Sequence, residues 1–565
     1  MKTYYGVDFE KQREALLKSD KAETMIEELI SKADLALTKI YEPLKMTDYM
    51  IFHETGNRST FERPYFERRN DCSYVSVAYW LTRDEKYKNT LINLIFTICD
   101  EFTWCVPAHA NLHTNPSTES FITQIDLFMA ETARLLTDIC AAVGDLLPYY
   151  VKQRVEYEIK RRIIIPLRER HDFWWDTTCT NNWAAVCAGG CLVALLHFGA
   201  KEDIEKCLPR LYRAIDNFLK GFNDDGCCME GYAYWNYGFG YFLIFARAIY
   251  DYTNGEVNYF DDEKVKNIAM FPQKIRMSES KNVSFSDGGS KYFNSIGAIC
   301  FLKSLYGDDI VLPDLSVPKA NGNVYSIKEF LWFDTDYEAD SEKYLTSFFD
   351  QSQWYIKQQK KFSFAAKGGH NDEPHNHNDV GSFMIVSGEN IPLTDFGCGE
   401  YVKETFMPET RYTFLVNSSR GHSVPVINGE YQCVGAEFSA KNVKAGDDYF
   451  SLDMEDAYEP GIINKIHRHF DIGESSVIMT DTFEYSEKTE SVFERIVSHV
   501  KPEICDGYVN FGAADVIFDE EKFEASVSVE TYRSHGNKGD VNAYLVDFRP
   551  INKKETEFKA EIRIK

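Results

Sequence analysis

The sequence predicts a multidomain α+β protein in which a helical domain precedes an antiparallel β domain. Three observations support this prediction. The chain has 565 residues, more than a single hydrophobic core usually supports. Apolar residues recur at helical spacing over roughly the first 320 residues. From about residue 345 onward, apolar and polar residues alternate between turn signals.

The N-terminal part contains several amphipathic segments of helical length. Two examples are "QIDLFMAETARLLTDICAAVG" (124–144) and "IEKCLPRLYRAIDNFLKGF" (204–222), and short breaks rich in Gly, Pro or Asn separate such segments. Successive helices joined by short loops predict a helical toroid or solenoid. No exact repeat is present in the sequence, so this array is inferred from periodicity alone.

The C-terminal part contains segments such as "GSFMIVSGENIPLTDFG" (381–397) and "SSVIMTDTFEYSEKTESVFERIVSHV" (475–500). Their alternation and the intervening Gly, Asn-Gly and Pro signals are typical of antiparallel strands. The domain boundary is predicted around "SVPKANGNVYSIKE" (316–329), between about residues 320 and 345.

Composition restricts the class of partner. The formal net charge of −26 argues against nucleic acid or an anionic membrane as the main partner. An anionic substrate remains compatible, because the runs "RPYFERR" (63–69) and "KRRIIIPLRER" (160–170) could make a cleft locally basic. Aromatic residues make up 15% of the chain, and its 34 Tyr and 8 Trp would suit a cleft that stacks on sugar rings.

The 14 cysteines include no CxxC pair, which predicts reduced thiols rather than a disulfide framework. The first residues lack an apolar signal region. The longest apolar stretch, "AAVCAGGCLVALLHFGA" (184–200), is short for a membrane span and contains a histidine, so a buried helix is predicted. These features predict a cytoplasmic protein; a leader removed from this chain would instead place it in the periplasm or outside the cell.

Two stretches of the helical part carry groups suited to binding a sugar acid. "CTNNWAAVCAGG" (179–190) places Asn181, Asn182 and Trp183 just before an apolar helical run. One asparagine is accounted for as a helix N-cap. The second amide can bind a carboxylate or a sugar hydroxyl, and the indole offers a stacking face.

"DDGCCMEGYAYWNYGFGYF" (224–242) surrounds Trp235 with tyrosines and contains Glu230. The spacing of Tyr234, Tyr237 and Tyr241 predicts three phenols on one helical face. An aromatic core seam is the alternative interpretation. Upstream, "HETGNRSTFERPYFERR" (53–69) and "WCVPAHANLH" (104–113) contribute Arg58 and His109 as predicted cleft-lining residues.

The densest cluster is "GGHNDEPHNHND" (368–379). In a strand, His375, His377 and Asp379 would share one face. Imidazoles and carboxylates are preferred ligands of zinc and similar ions. Asp395, after an apolar strand, and His422, at the start of another, can complete a metal shell. The alternative interpretations are a turn residue for Asp395 and a strand-edge polar residue for His422.

Five strings resemble the heparinase II/III-like family of polysaccharide lyases. They are "NNW", "EGYAYWNYGFGY", "HNHNDVGSF", "LTDFG" and "RGHSVPVINGEYQ", in the family's order, within a resemblance that spans roughly residues 50–500. The resemblance implies an N-terminal α/α toroid, an incomplete barrel of helical hairpins, over residues 1–335. It further implies an antiparallel β-sandwich over residues 336–565, with the active site in the cleft between them.

The resemblance also implies an activity: β-elimination on uronate-containing glycans such as heparan sulfate, chondroitin, hyaluronan or alginate. It implies that His375 and Tyr237 are catalytic, with Tyr234 as the second choice for the tyrosine, and that Asn182 binds the uronate carboxylate. Asn181, Trp183, Tyr234, Trp235, Glu230, Arg58 and His109 are predicted to contact substrate.

The family's metal ligands correspond to His377, Asp395 and His422. The implied cofactor is one structural divalent ion, with zinc or manganese favoured over calcium by the two imidazoles. The expected partner is an anionic oligo- or polysaccharide, and a homodimer is compatible with the sequence. One departure is Trp183, which stands where many relatives have a histidine after the asparagine.

Two other functions are compatible with the residues alone. A glycoside hydrolase on a helical toroid would need two carboxylates flanking the bond, for which Glu230 and either Asp225 or Asp287 are available. A non-catalytic glycan-binding protein would use the same aromatic cleft without turnover.

Overall fold

The computed structural model describes residues 4–110, 121–292, 295–315, 326–340, 343–535, 539–552 and 555–565. Almost all of its α-helices precede residue 332, and one short helix, Pro408–Arg411, lies further along. The earlier α-helices are Phe9–Leu16, Glu23–Leu37, Met46–Thr55, Ser59–Thr82, Lys88–Cys99, Leu127–Val143, Tyr149–Ile159, Ile165–Glu169, Asn182–Phe198, Lys201–Lys220, Tyr232–Tyr234, Gly240–Tyr252, Glu263–Ala269, Phe271–Ile275, Ile296–Tyr306 and Ile327–Leu331. None of the described helices combines the length and apolar character needed to cross a bilayer.

The helix Asn182–Phe198 lies at the centre of the helical domain. It packs against Leu127–Val143, Lys201–Lys220 and Gly240–Tyr252, and a helix surrounded in this way must be apolar on all sides. Close packing explains the glycine pair in its sequence. A Cβ on Gly190 would lie 2.4 Å from the carbonyl oxygen of Ala130 on the neighbouring helix.

Three arginines of the two basic runs form buried ion pairs. Arg68 and Arg69 both pair with the buried Glu101 at 2.7 Å. Arg162 pairs with Glu158, also at 2.7 Å. The expectation that the runs 63–69 and 160–170 make a cleft basic is therefore not met by these three side chains.

All 14 cysteines are free thiols, as their spacing predicts.

The C-terminal half contains strands β1 to β19, numbered in chain order. They are Thr346–Phe349, Trp354–Gln358, Ser363–Lys367, His370–Asn371, Phe383–Ser387, Asn390–Leu393, Val426–Ile427, Gly435–Ser439, Lys441–Ala445, Tyr449–Asp453, Lys465–Ile472, Ser476–Glu484, Val492–Ser498, Glu503–Cys505, Tyr508–Asn510, Ala514–Phe518, Phe523–Arg533, Asp540–Pro550 and Glu557–Ile564.

These strands form antiparallel sheets, which confirms the predicted β domain. The eight-stranded sheet has the order β14-β15-β16-β19-β12-β11-β10-β9, and the four-stranded sheet has the order β17-β18-β13-β7. A five-stranded sheet has the order β1-β2-β3-β5-β6. In β11, buried residues alternate with more exposed ones, as expected for a strand with one face on the core.

The five-stranded sheet is the layer that joins the two halves. On one face, Trp354 and Met384 belong to the core of the helical domain. On the other face, Tyr355 and Phe383 belong to the core of the β domain. Its central strands are therefore buried on both faces, unlike the one-sided strands that the alternating pattern predicts.

The boundary between the two halves lies between the helix Ile327–Leu331 and β1. The division expected between residues 335 and 336 lies in this interval and stays a prediction. Residues 316–325 and 341–342 of the boundary region lie outside the described residues.

Candidate active site

A loop of the helical domain lies directly on a strand end of the β domain. The Ser284 hydroxyl donates to the carbonyl oxygen of Asp395 at 2.9 Å. Gly397 has φ +60°, and a Cβ at this position would lie 2.1 Å from the carbonyl oxygen of Gly288. The two backbones are thus in contact on either side of Asp287, the residue that this loop contributes to the site.

Asp287 contacts two histidines of the predicted cluster. Its Oδ2 lies 2.6 Å from His375 Nδ1, and its Oδ1 lies 3.1 Å from His377 Nε2. His377 is fully buried, whereas the side chain of His375 is 25% exposed and can reach solvent or a ligand. His375 has φ +56°, a conformation that is unusual for a residue other than glycine and often marks functional sites.

Two tyrosines extend this network. The Tyr401 hydroxyl donates to Asp287 Oδ2 at 3.0 Å, and it lies 2.9 Å from the Tyr234 hydroxyl. The ring centroids of Tyr234 and His375 are 4.7 Å apart. The helical domain therefore supplies Tyr234 and Asp287, and the β domain supplies His375 and Tyr401.

The hydrogen bonds determine the charge state of this group. Burial alone would raise the pKa of Asp287, but hydrogen bonds from His375 and His377 outweigh it and hold the pKa well below its usual range. Arg411 Nη2 lies 3.5 Å from Asp287 Oδ2 and adds positive charge. Burial raises the pKa of Tyr234 above its usual value, so that its hydroxyl stays protonated.

A cavity of about 680 Å³ opens beside this network, between the two domains. Tyr234, Asp287 and Tyr401 form part of its wall. Its volume is in the range of small-molecule binding sites.

Part of the cavity wall is aromatic and comes from the β domain. The rings of His499 and Tyr532 stack with centroids 6.0 Å apart, and the rings of Tyr401 and His535 are 4.8 Å apart. Phe396 also lines this wall. Aromatic faces of this kind can stack on sugar rings.

Asn182 lies on a second, smaller pocket that shares Tyr234 with the main cavity. Glu230 and Pro374, the residue before His375, line the same pocket. Asn181 caps the helix, since its side-chain oxygen accepts from the backbone N–H of Trp183 at 3.1 Å. The amide of Asn182 is not needed for this cap. Burial raises the pKa of the Glu230 carboxyl.

Tyr237 and Tyr234 point to different surroundings. The segment Trp235–Phe239 is a π-helical turn, which shifts the residues after it relative to a regular α-helix. The hydroxyl of Tyr237 is buried beside Glu131, and burial raises its pKa well above the usual value. Its ring lines the main cavity. The predicted single face of three phenols is therefore divided by the π-turn.

The other residues predicted to contact substrate differ in their surroundings and in their access to solvent. Trp183 and His109 are in contact, with ring centroids 4.6 Å apart, and His109 Nδ1 lies 2.7 Å from Asp126 Oδ2. Arg58 pairs with Glu62 at 2.8 Å on a partly exposed surface. Trp235 is 2% exposed, and its indole N–H donates to a backbone carbonyl at 2.7 Å, so this indole belongs to the core and is not accessible to a glycan.

A group of buried residues beside Asp287 has the composition of a metal site. Ligand atoms of His377, Asp379 and His422 all lie within 4.8 Å of one another. His377 Nδ1 and Asp379 Oδ2 are buried without a hydrogen-bond partner, and such buried polar atoms are uncommon. Asp395, the carboxylate expected from the sequence, contacts His422 Nδ1 at 2.9 Å. Two imidazoles and a carboxylate fit zinc or manganese.

Sequence reasoning missed Tyr401 and Arg411, and it considered Asp287 only as an acid for hydrolysis. The motif "FSDGG" placed Asp287 in a turn. No short-range pattern brings it to a histidine 88 residues later in the chain. Tyr401 follows "LTDFGCGE" and carries no signal of its own.

Comparison with known proteins shows the fold. No family profile and no curated protein match the sequence. The chain shares its fold with solved polysaccharide lyases, which confirms the heparinase-like architecture of a helical toroid followed by a β domain.

One similar structure is the heparan sulfate lyase HepC from Pedobacter heparinus (TM-score 0.57, 13% identity, covering 95% of this chain and 82% of that chain). The heparinase III BT4657 gene product has a TM-score of 0.59 at 14% identity, covering 99% and 93%. The chondroitin AC lyase of Streptomyces coelicolor A3 has a TM-score of 0.59 at 10% identity, covering 98% and 82%.

Proposed function

We propose that the protein is a polysaccharide lyase that cleaves uronate-containing glycans by β-elimination. The observation that carries the proposal is the contact between His375 of the β domain and Tyr234 of the helical domain, which lines a cavity of about 680 Å³. The fold shared with lyases of heparan sulfate and chondroitin sulfate supports the same reaction class. A paired base and acid in one cleft suits proton removal and leaving-group protonation better than binding alone.

In the proposed reaction, His375 removes the C5 proton of the uronate. Its Nδ1 faces Asp287, which leaves Nε2 for the substrate. The electrons of the C5–H bond form the C4=C5 double bond, and the C4–O4 bond breaks. Burial alone would lower the pKa of His375, but the hydrogen bond to Asp287 raises it, which strengthens the imidazole as a base.

Tyr234 is assigned as the acid that protonates the departing O4. Its hydroxyl stays protonated because burial raises its pKa, and its ring lies against the base. The sequence-based prediction assigns this role to Tyr237, whose hydroxyl lies beside Glu131 instead. We therefore place Tyr234 first, and the comparison of the two phenylalanine variants decides between them.

Asn182 is assigned as the donor that neutralises the uronate carboxylate. Removal of the C5 proton is costly because the adjacent carboxylate repels the developing charge. Amide N–H groups aimed at that carboxylate lower the barrier. Asn182 lies on the pocket that also contains Tyr234 and the residue before His375, so its amide is in the right region of the cleft. Trp183 and His109 would then form a stacking surface beside it.

His377 and His422, together with Asp379, are the residues that would hold a divalent ion. His422 Nε2 lies 2.8 Å from the Val416 carbonyl oxygen, so its Nδ1, 2.9 Å from Asp395 Oδ2, is the nitrogen that would face the ion. Bound there, the ion would supply positive charge that orders the segment that carries His375 and His377. His377 keeps its Nε2 directed at Asp287. The ion is assigned a structural role, with zinc or manganese as the expected metal.

Hydrolysis is the second candidate, favoured by one observation: the raised pKa of Glu230, as expected for a general acid. Hydrolysis also needs a second carboxylate, and both candidates for it, Asp225 and Asp287, are already engaged in hydrogen bonds. Asp287 accepts hydrogen bonds on both oxygens, and Asp225 accepts from the backbone N–H groups of Gln351 and Ser352.

A substrate panel tests the proposed function. The purified protein is incubated with heparan sulfate, heparin, chondroitin sulfate, hyaluronan and alginate oligosaccharides, and ultraviolet absorbance from unsaturated uronate is followed over time. We expect a rise on at least one member. New reducing ends without a rise would favour hydrolysis, and silence in both assays would favour a glycan-binding protein.

A further inference from the structure

We propose that Asp287 is a positioning residue: one carboxylate from the helical domain that orients the base His375 and the metal-site residue His377 of the β domain together. This inference rests on the proposed lyase function. It assigns Asp287 a role that is exerted through the two histidines, and it makes the geometry of the β-domain histidines depend on the helical domain.

The direction of each hydrogen bond follows from the chemistry of an ionised carboxylate, which only accepts. His375 must therefore carry its proton on Nδ1, 2.6 Å from Oδ2, and His377 must carry its proton on Nε2, 3.1 Å from Oδ1. In the neutral imidazoles, the opposite nitrogens then have free lone pairs. His375 Nε2 is left for the substrate, and the buried, unpartnered His377 Nδ1 is left for an ion.

The same carboxylate also connects to the proposed acid. In the substrate-free protein, Tyr401 donates its proton to Asp287 Oδ2 at 3.0 Å, so its oxygen accepts from the Tyr234 hydroxyl 2.9 Å away. In the proposed reaction, O4 replaces Tyr401 as the acceptor of the Tyr234 proton. Base and acid are thus held by opposite ends of one network centred on Asp287. Because the base lies in one domain and the acid in the other, this network also fixes their separation.

The surroundings of Asp287 leave it little freedom. The residue is 5% exposed, and its loop is pinned by the Ser284 hydroxyl on the Asp395 carbonyl and by the close approach of Gly288 to Gly397. Arg411, 3.5 Å away, balances its charge. A side chain held this firmly can set the orientation of two imidazoles before substrate binds.

The test is Asp287→Asn in the zinc-loaded enzyme, assayed on the substrate that the panel identifies. The amide matches the carboxylate in shape but offers only one acceptor oxygen, so it cannot accept from both histidines. We expect kcat to fall by about 100-fold or more, with KM changed by less than about threefold, as for loss of an acid–base group. A kcat within about threefold of wild type would overturn the inference.

The control is Ser286→Ala, in the same loop, which removes a buried hydroxyl that has no hydrogen-bond partner. It should leave kcat and the melting temperature unchanged. If it lowers kcat as much as Asp287→Asn does, the effect belongs to the loop and the inference is overturned.

The ¹⁵N spectrum of the histidines gives a readout that is independent of activity and needs no variant. In zinc-loaded wild type we expect His375 to be protonated at Nδ1, and we expect this signature to change in Asp287→Asn. A His375 protonated only at Nε2 in wild type would overturn the inference even if the enzyme is active. Absence of lyase activity on every glycan would instead refute the proposed function, while the spectrum would still report on Asp287.

Discussion

His375 Nδ1 lies 2.6 Å from Asp287 Oδ2, and this hydrogen bond joins a residue of the β domain to a residue of the helical domain. The proposed base, the proposed acid and the carboxylate proposed to orient them therefore meet only where the two domains are docked. Activity should depend on how closely the loop carrying Asp287 approaches the strand end around Asp395, where Ser284 is already hydrogen-bonded.

The first prediction concerns this docking. Gly397→Ala places a Cβ about 2 Å from the Gly288 carbonyl oxygen, in a backbone with φ +60°. We expect a loss of more than about 1 kcal/mol in the free energy of unfolding, together with reduced activity. The matched control is Gly388→Ala, which has φ +57° but no atom within 4 Å of the new Cβ. Equal activity and stability in the two variants would show that domain contact at Gly397 does not matter.

The second prediction concerns the acid. Tyr234→Phe should lower kcat by about 100-fold or more, because it removes the proton donor for O4. Tyr237→Phe should lower it by less than about tenfold, since that hydroxyl is buried beside Glu131. Initial rates of product absorbance measure both, and thermal melts check folding. The opposite order, with Tyr237→Phe inactive and Tyr234→Phe active, would restore the assignment made from the sequence.

The third prediction separates two adjacent asparagines. Asn181→Ala removes the helix cap seen in the 3.1 Å bond to the Trp183 N–H. It should cost about 1 kcal/mol of stability, with little change in kcat. Asn182→Ala should keep most of the stability but lower kcat/KM by about 100-fold, the typical cost of losing one donor to a developing anion. Chemical denaturation and steady-state kinetics measure the pair. Equal kinetic effects would contradict the assignment of Asn182.

The fourth prediction concerns the ion. After dialysis against trace metal, wild type should retain about one zinc or manganese per chain, with a higher melting temperature than after chelation. His377→Ala and Asp379→Asn should lose the metal, because His377 Nδ1 and Asp379 Oδ2 are the buried atoms without partners. Asp395→Asn should retain more metal than either of these two variants. Elemental analysis showing loss in Asp395→Asn and retention in Asp379→Asn would support the sequence-based ligand set instead.

Much of the fold could be predicted from the sequence because it is written in short-range periodicity. The helical spacing of "QIDLFMAETARLLTDICAAVG" gave the helix Leu127–Val143, and the alternation in "SSVIMTDTFEY" gave β12. The five-stranded sheet was harder to anticipate. Its double-sided burial arises from contact with the helical domain, and alternation within a strand contains no information on what covers its second face.

The site was predictable where its residues cluster in sequence and not where they meet through the fold. His375 and His377 belong to one motif, and in the structure both form hydrogen bonds with Asp287. Tyr401 and Asp287 come from loops 114 residues apart, so only the tertiary structure pairs them. The π-turn at Trp235–Phe239 divides Tyr234 from Tyr237, and a helical wheel cannot show such an insertion.

The most direct test of the central claim is the mass of the products that wild-type protein releases from a defined uronate oligosaccharide. Elimination breaks the C4–O4 bond without adding water, so the masses of the two products sum to the mass of the substrate, and one product carries the unsaturated uronate. That is the predicted result. Products whose masses sum to that of the substrate plus one water molecule would demonstrate hydrolysis and would contradict the assignment of His375 and Tyr234 as an elimination pair.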